Sequence, residues 1–312
     1  MNTAFLFPGQ GSQSVGMGKD LCENFPVARQ VFEEASDALS SNVSRLCFSG
    51  PESELNRTEN TQPAVLTASV AALMVFVSES DIRPIVVAGH SLGEYTALVA
   101  SGAIGLVDAV RLVRDRGRFC QEAVSEGEGA MAAVIGWKAE AVEKVVKEIS
   151  AETGRVVAPA NYNGPEQVVI SGHADAVKAA VVRAQEKGAE RSVFLNVSAP
   201  FHSPLMKPAA DRLAKKLAEA HFKDAVIPVI ANVDAITYQQ PEKAREKLER
   251  QVYSPVLWTQ SMRKLLEMEV ELAFEIGPGK VLTRLLRKIN REMQCIPVGD
   301  IDGIKKALAM HI

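Results

Sequence analysis

The stretch RPIVVAGHSLGEYTALVASGAI, residues 83–104, decides how the chain is read. It passes from an apolar run, Ile85 to Ala88, through Gly89-His90-Ser91-Leu92-Gly93 into a segment of small residues suited to a helix. An apolar run of strand length without polar alternation fits a strand buried on both faces, as in a parallel sheet covered by helices. The G-x-S-x-G between them is the pattern of a sharp strand-to-helix turn that exposes a serine hydroxyl. Gly89 and Gly93 remove side chains that would clash across such a turn. The free N–H groups at the helix start, that of Leu92 among them, face the serine and can bind a developing oxyanion. The pentapeptide alone is a weak signal, because small residues abound in turns. Its strand–turn–helix setting makes Ser91 a candidate nucleophile.

Working outward, TAFLFP at the start reads as a short buried strand, with GQGSQ as the turn after it. Helical spacing runs from Phe25 to Leu39, a short helical stretch follows at Pro51 to Leu55, and Gln62-Pro63-Ala64 opens an apolar helix to about Ser78. The segment VDAVRLVRDRGRFCQEAV is another amphipathic helix. The rhythm then changes. A strand (AMAAVIGW), a helix (AEAVEKVVKEI), two strands (RVVAPANY and EQVVISG), a helix (ADAVKAAVVRAQEKG) and a strand (RSVFLNV) follow in order. This is the β-α-β-β-α-β pattern of a ferredoxin-like unit. The fold class expected is therefore α/β: a large domain with a parallel sheet, residues 1–126 and 198–312, carrying an inserted small subdomain, residues 127–197. A helix from Pro208 to Glu219, a strand IPVIAN, further helices, a strand ELAFEIGP and a basic helix from about Lys280 complete the large domain.

With 312 residues, the chain is long enough for one large core plus a smaller lobe. Its 47% hydrophobic and 23% charged residues are those of a soluble globular protein, and a net charge of -3 argues against a general nucleic-acid binder. Cys22, Cys47, Cys120 and Cys295 form no CxxC or Cys/His cluster, which points to reduced thiols in the cytoplasm and to no metal site. The first residues lack the cationic start of a signal peptide, and runs such as TASVAALMVFV are too short and interrupted to span a bilayer.

A nucleophilic serine needs a base, and five histidines are available. His90 would point away from Ser91 around the turn; His173 opens a helix of the small lobe; His221 and His311 sit in charged or terminal surroundings. His202 lies in SAPFHSPLM, between Pro200 and Pro204, whose fixed φ angles hold the loop and its imidazole in place. It is the candidate base. The cluster Arg111, Arg114, Arg116 and Arg118 reads either as a solvated cationic face or as the source of one planar fork for a substrate carboxylate. Position alone does not choose among them. Gln10, in PGQGSQ, lies in a Gly-rich turn that lacks the spacing of a nucleotide-binding loop and fits better as a presenter of backbone amides.

Taken together, FLFPGQGSQ, TQPA, GHSLGEYTALVASGA, GAMAAVIG, NYNGPEQVVISG, VSAPFHSPLM, QVYSPVLW and FEIGPGKVL run in order along essentially the whole chain. In these segments the sequence resembles the malonyl-CoA:acyl carrier protein transacylases of fatty acid synthesis and the related acyltransferase domains of polyketide synthases. The resemblance implies an α/β-hydrolase-like large domain, an inserted ferredoxin-like lobe and a ping-pong route through a malonyl-serine ester. It implies Ser91 as nucleophile, His202 as general base, the backbone carbonyl of Gln251 as the group that orients the histidine, and the amides of Gln10 and Leu92 as the oxyanion hole. Arg116 matches the arginine that pairs with the malonyl carboxylate, and Gln62 and Asn161 match other cleft positions. Phe201 beside His202 resembles the malonyl-selective pattern.

The implied substrates are malonyl-CoA and holo-acyl carrier protein, with no tightly bound cofactor, no metal, no nucleic acid and no membrane, the enzyme acting as a monomer. Carrier proteins are acidic, so Lys280, Arg284, Arg287, Lys288 and Arg291 form a candidate dock, against the plain reading of a solvated cationic face. A trans-acting acyltransferase of a polyketide pathway and a serine thioesterase or esterase are the alternative functions.

Overall fold

The computed structural model describes residues 1–197 and 199–310, so Ser198, His311 and Ile312 lie outside the described residues. Two sheets organise it. The larger contains β1 (Thr3–Phe7), β2 (Val86–Gly89), β7 (Val229–Ile230), β8 (Thr237–Tyr238), β9 (Leu272–Ile276) and β10 (Gln294–Val298), in the order β10-β9-β1-β2-β7-β8. All neighbours pair in parallel except β7 and β8, so the expected parallel sheet carries one antiparallel edge strand.

Its central strands are buried on both faces, and the period of two along a strand separates their side chains into two cores. Phe5, Phe7, Val87, Phe274 and Ile276 pack into one, together with the helix Thr58–Glu79. Ala4, Leu6, Val86, Ala88 and Ala273 pack into the other, against Trp258, Met262 and Leu286. This two-sided burial is why Val86–Ala88 shows no polar alternation, while Ile85, just before the strand, is exposed.

The smaller sheet contains β3 (Gly129–Ile135), β4 (Val157–Gly164), β5 (Gln167–His173) and β6 (Arg191–Phe194), all antiparallel, in the order β4-β5-β3-β6. The helices Ala139–Thr153 and Ala174–Glu186 cover it through a third core that includes Val142, Val146, Val177 and Val181. This is the split β-α-β arrangement read from the sequence. Edge strand β4 is clasped to the larger part. Tyr162 N donates to Val256 O at 2.9 Å, Val256 N to Ala160 O at 2.8 Å, and Thr259 Oγ1 to Tyr162 O at 2.9 Å.

Several boundaries differ from the sequence reading. The helix expected to open at Gln62 begins at Thr58 and holds Pro63 inside it; at 22 residues it is long and apolar enough to cross a bilayer, yet most of it is buried in the core. The strand expected over 227–232 keeps only Val229–Ile230, because Asn232 leaves the ladder to bond the serine turn. The strand expected to reach Val197 ends at Phe194. The basic helix spans Val281–Ile289, so Arg291 falls beyond it. Strand β10 and the helix Ile301–Leu308 were not expected. Pro297 hides β10, since proline in a strand is tolerated where the strand is an edge, as here.

Candidate active site

Ser91 sits where β2 meets the helix Gly93–Ala100, with a left-handed backbone, φ 52°. A non-glycine residue there costs energy and persists only where its surroundings impose it. Those surroundings are tight. A Cβ on Gly89 would lie 1.9 Å from the carbonyl carbon of Gly93, and a Cβ on Gly93 would lie 2.1 Å from the Phe7 carbonyl oxygen, so the turn closes on itself and against β1 only because both positions lack side chains. Asn232 then pins the bend: its Oδ1 accepts from Ser91 N at 2.6 Å and its Nδ2 donates to Gly89 O at 2.7 Å.

The turn after β1 packs directly on this bend. A Cβ on Gly9 would lie 2.4 Å from the His90 carbonyl oxygen. Gln10 follows and lines the cleft beside Ser91. Among the described residues, neither the Gln10 amide nor the Leu92 amide has an acceptor. The Leu92 side chain is buried in the core, so only its backbone bears on the site. The Ser91 amide is already committed to Asn232.

His202, with φ 59° and 3% exposed, comes from the loop after the small sheet. Its Nε2 is 2.7 Å from Ser91 Oγ and its Nδ1 is 2.7 Å from the carbonyl oxygen of Gln251. A carbonyl only accepts, so Nδ1 carries the proton and Nε2 presents its lone pair to the serine hydroxyl. Burial, and secondly the charge of Arg116, pull the imidazole down from 6.5 to about 3, against the opposing bond to the Gln251 carbonyl. The ring is therefore neutral near pH 7, the form that takes a proton.

Of the four clustered arginines, the structure turns Arg116 inward. It is 2% exposed and donates to Ser91 Oγ at 3.0 Å, Gln62 Oε1 at 2.8 Å and Gln251 Oε1 at 3.0 Å. Arg111 instead reaches Ala38 O and Arg118 pairs with Asp115, both on the exposed side. Gln62 is fully buried and meets the cleft only through Arg116. Asn161 and Phe201 line the same cleft of about 510 Å³ as Ser91, His202 and Arg116.

Of the other described histidines, none contacts Ser91 Oγ, although His90 also lines the cleft. His90 turns its Nε2 to Asn163 Oδ1 at 2.8 Å and stacks edge-on with Trp258, His173 Nδ1 accepts from Val156 N, and His221 is exposed. The basic residues Lys280, Arg284, Arg287, Lys288 and Arg291 are all exposed, and none forms an ion pair among the described residues. Lys288 donates to Gln167 of the small sheet. Three apolar residues of the same segment, Val281, Leu282 and Leu285, line the cleft, so this helix forms part of its wall.

Two residues of this network were missed. Asn232 holds the serine turn, and Glu94, fully buried, accepts from Asn232 N at 3.0 Å, Tyr238 OH at 2.9 Å and Gln251 Nε2 at 2.8 Å. A glutamate alone among apolar and small residues in EYTALVA was a legible sign, because a buried carboxylate demands donors. Asn232 carried no such sign, since asparagines at strand ends are common turn residues.

A hydroxyl hydrogen-bonded to a neutral imidazole, two free amides beside it and a buried guanidinium on the same oxygen suit acyl transfer through a serine ester. The comparisons with known proteins agree. Residues 4–307 match the acyl transferase domain family. The chain is 50% identical over 305 residues to the malonyl CoA-acyl carrier protein transacylase of Bacillus subtilis, covering 98% of this chain and 96% of that one. It is 49% identical to the Escherichia coli K12 protein of the same name, over 98% of this chain and 99% of that one. Among solved structures, an acyl carrier protein S-malonyltransferase from Vibrio cholerae superposes with a TM-score of 0.95 at 46% identity, covering 98% and 100% of the two chains. A malonyl-transacylase in complex with its type II polyketide synthase acyl-carrier protein superposes with a TM-score of 0.96 at 45% identity, covering 99% of each. On this footing the chain belongs to the acyl transferase domain family, among the malonyl CoA-acyl carrier protein transacylases.

Proposed function

We propose that the protein moves the malonyl group of malonyl-CoA to the phosphopantetheine thiol of acyl carrier protein, through a malonyl ester on Ser91, in support of fatty acid elongation. The observation that carries this reading is the meeting of His202 Nε2 and Arg116 on one oxygen, Ser91 Oγ, at 2.7 and 3.0 Å.

In this reading His202 takes the Ser91 proton as Oγ attacks the thioester carbonyl carbon. The amides of Leu92 and Gln10 stabilise the oxyanion, and the thiolate of coenzyme A leaves with the proton returned by His202. The carrier thiol then gives its proton to His202, attacks the ester, and Ser91 regains its hydrogen as the malonyl thioester departs. Arg116 holds the free carboxylate of the malonyl group, with Gln62 and Gln251 bracing the guanidinium. A neutral acyl group such as acetyl would leave that cation buried without an anion, which is the physical basis of the preference. Phe201 fills the space an α-methyl would need, and Asn161 lines the same cleft. Residues 127–197 act as the inserted subdomain that closes one side of the cleft, and residues 1–126 and 198–312 as the catalytic domain. The exposed cations of the 280–291 segment receive the acidic carrier at the mouth, in the cytoplasm.

The complex of a related malonyl-transacylase with a polyketide carrier supports a second acceptor, distinguished by a panel of carrier proteins. Intact-protein mass spectrometry after mixing with malonyl-CoA tests the central claim. A malonyl adduct mapped to Ser91, absent from Ser91→Ala, is expected; an adduct retained on Ser91→Ala overturns it.

A further inference from the structure

The Gln251 side chain is a three-way junction. Its Nε2 donates to Ser91 O at 2.9 Å and to Glu94 Oε2 at 2.8 Å, while its Oε1 accepts from Arg116 Nη2 at 3.0 Å. Only one of the two amide orientations satisfies these neighbours. The Ser91 carbonyl can only accept, and Glu94 Oε2 already accepts from Asn232 N, so both face the amide nitrogen. The amide oxygen is thereby turned to Arg116, which has no carboxylate in contact with it among the described residues. A flipped amide would set two donors against a buried guanidinium and leave its position undefined.

We infer that Glu94 is a positioning residue for acyl selection: as an acceptor it fixes the Gln251 amide, and through that amide it fixes the guanidinium of Arg116 where the acyl carboxylate must dock. The inference rests on the proposed role of Arg116. Glu94 touches no substrate; Gln251 separates it from Arg116, and the helix that carries it begins at the serine turn.

The test compares malonyl with acetyl transfer in Glu94→Ala and Glu94→Gln, alongside labelling of Ser91 by a fluorophosphonate, which needs the nucleophile but no carboxylate grip. Glu94→Ala should lower the malonyl-to-acetyl ratio of kcat/KM about tenfold, the worth of one hydrogen bond to a charged group, with a smaller loss of Ser91 labelling, since Glu94 also holds the Asn232 amide beside the serine turn. Glu94→Gln should restore the ratio, because its carbonyl oxygen can accept from both Asn232 and Gln251 while its amide faces the Tyr238 hydroxyl. Should Glu94→Ala not fold, Gln251→Met keeps the main-chain carbonyl on His202, removes the junction and should show the same fall in ratio. An unchanged ratio in a folded Glu94→Ala or Gln251→Met protein, or a ratio lost equally in Glu94→Gln, overturns the inference. So does a loss of Ser91 labelling as large as the loss of malonyl transfer. If Arg116→Ala also leaves the ratio unchanged, the carboxylate role of Arg116 fails first; if only the Glu94 variants do, the positioning role alone fails.

Discussion

Arg116 Nη2 and His202 Nε2 converge on the same atom, Ser91 Oγ, from the helix Leu106–Ala123 and from the loop after the small sheet. The hydroxyl donates to the imidazole and accepts from the guanidinium, so the cation polarises the oxygen that the base deprotonates. Replacing Arg116 with Ala should therefore do two things. Malonyl kcat/KM should fall about 10- to 100-fold, as expected for lost hydrogen bonds to a charged group, and acetyl transfer should rise relative to malonyl. Steady-state rates with the two thioesters check this; an unchanged preference removes the carboxylate role.

The depressed imidazole fixes a pH dependence. His202 is held neutral from its ordinary 6.5 down to about 3 by burial first and the Arg116 charge second. Acylation, followed as the burst of coenzyme A release, should show no inflection near pH 6.5 and stay level to about pH 5, with His202→Ala abolishing the burst at every pH. An inflection near 6.5 would mean that the base titrates as a solvated histidine. For stability the sign is opposite to that of a salt-bridged histidine. Below pH 6.5 the unfolded chain gains a proton that the native imidazole refuses, so unfolding becomes easier as the pH falls from 6.5 towards 3, by at most about 1.4 kcal/mol per pH unit. His90, which burial also lowers, adds to the same trend. Urea unfolding at pH 7.5, 6.0 and 5.0 measures it.

Reversing Arg287 and Lys288 to Glu should raise KM for the carrier protein about tenfold at low salt and spare KM for malonyl-CoA, since paired rim charges act chiefly on encounter. Added salt should shrink the difference. Equal changes in both constants would show that the 280–291 segment does not receive the carrier.

Phe201, 8% exposed and next to the base, should set the size limit of the acyl group. Phe201→Ala should raise methylmalonyl transfer relative to malonyl by about tenfold, because one methyl in an apolar pocket is worth only about 1–3 kcal/mol. Competition between the two thioesters in one reaction reads it directly; no change in the ratio places the size limit elsewhere.

The parts of this protein that repeat a local pattern were legible before any coordinates. Strand β2, the serine turn and the alternation of strands and helices in the small sheet all follow from periodicity and from Gly89 and Gly93. Ser91 and His202 could be paired because prolines bracket the histidine and no other histidine had a comparable setting. The choice of Arg116 from four arginines was not legible from spacing, since a helix carries residues three or four apart on one face and only the tertiary neighbours Gln62 and Gln251 decide which one is buried. Asn232 escaped for the same reason, since it acts on the serine turn across more than 130 positions of sequence; Glu94 was betrayed by its apolar setting, but its partners Asn232, Tyr238 and Gln251 lie as far away and were not legible. Strand β10 escaped because its proline imitates a breaker, and an edge strand has no missing partner to betray it.

The clasp between β4 and Val256 has a consequence for anyone wishing to widen the substrate range. Two main-chain bonds stitch the wall bearing Asn161 to the segment that follows Gln251, so the gap between the two sheets is set by backbone and not by a hinge. Bulkier extender units will have to be accommodated by carving side chains such as Phe201, because loosening the loops around the mouth leaves those stitches, and the spacing they impose, in place.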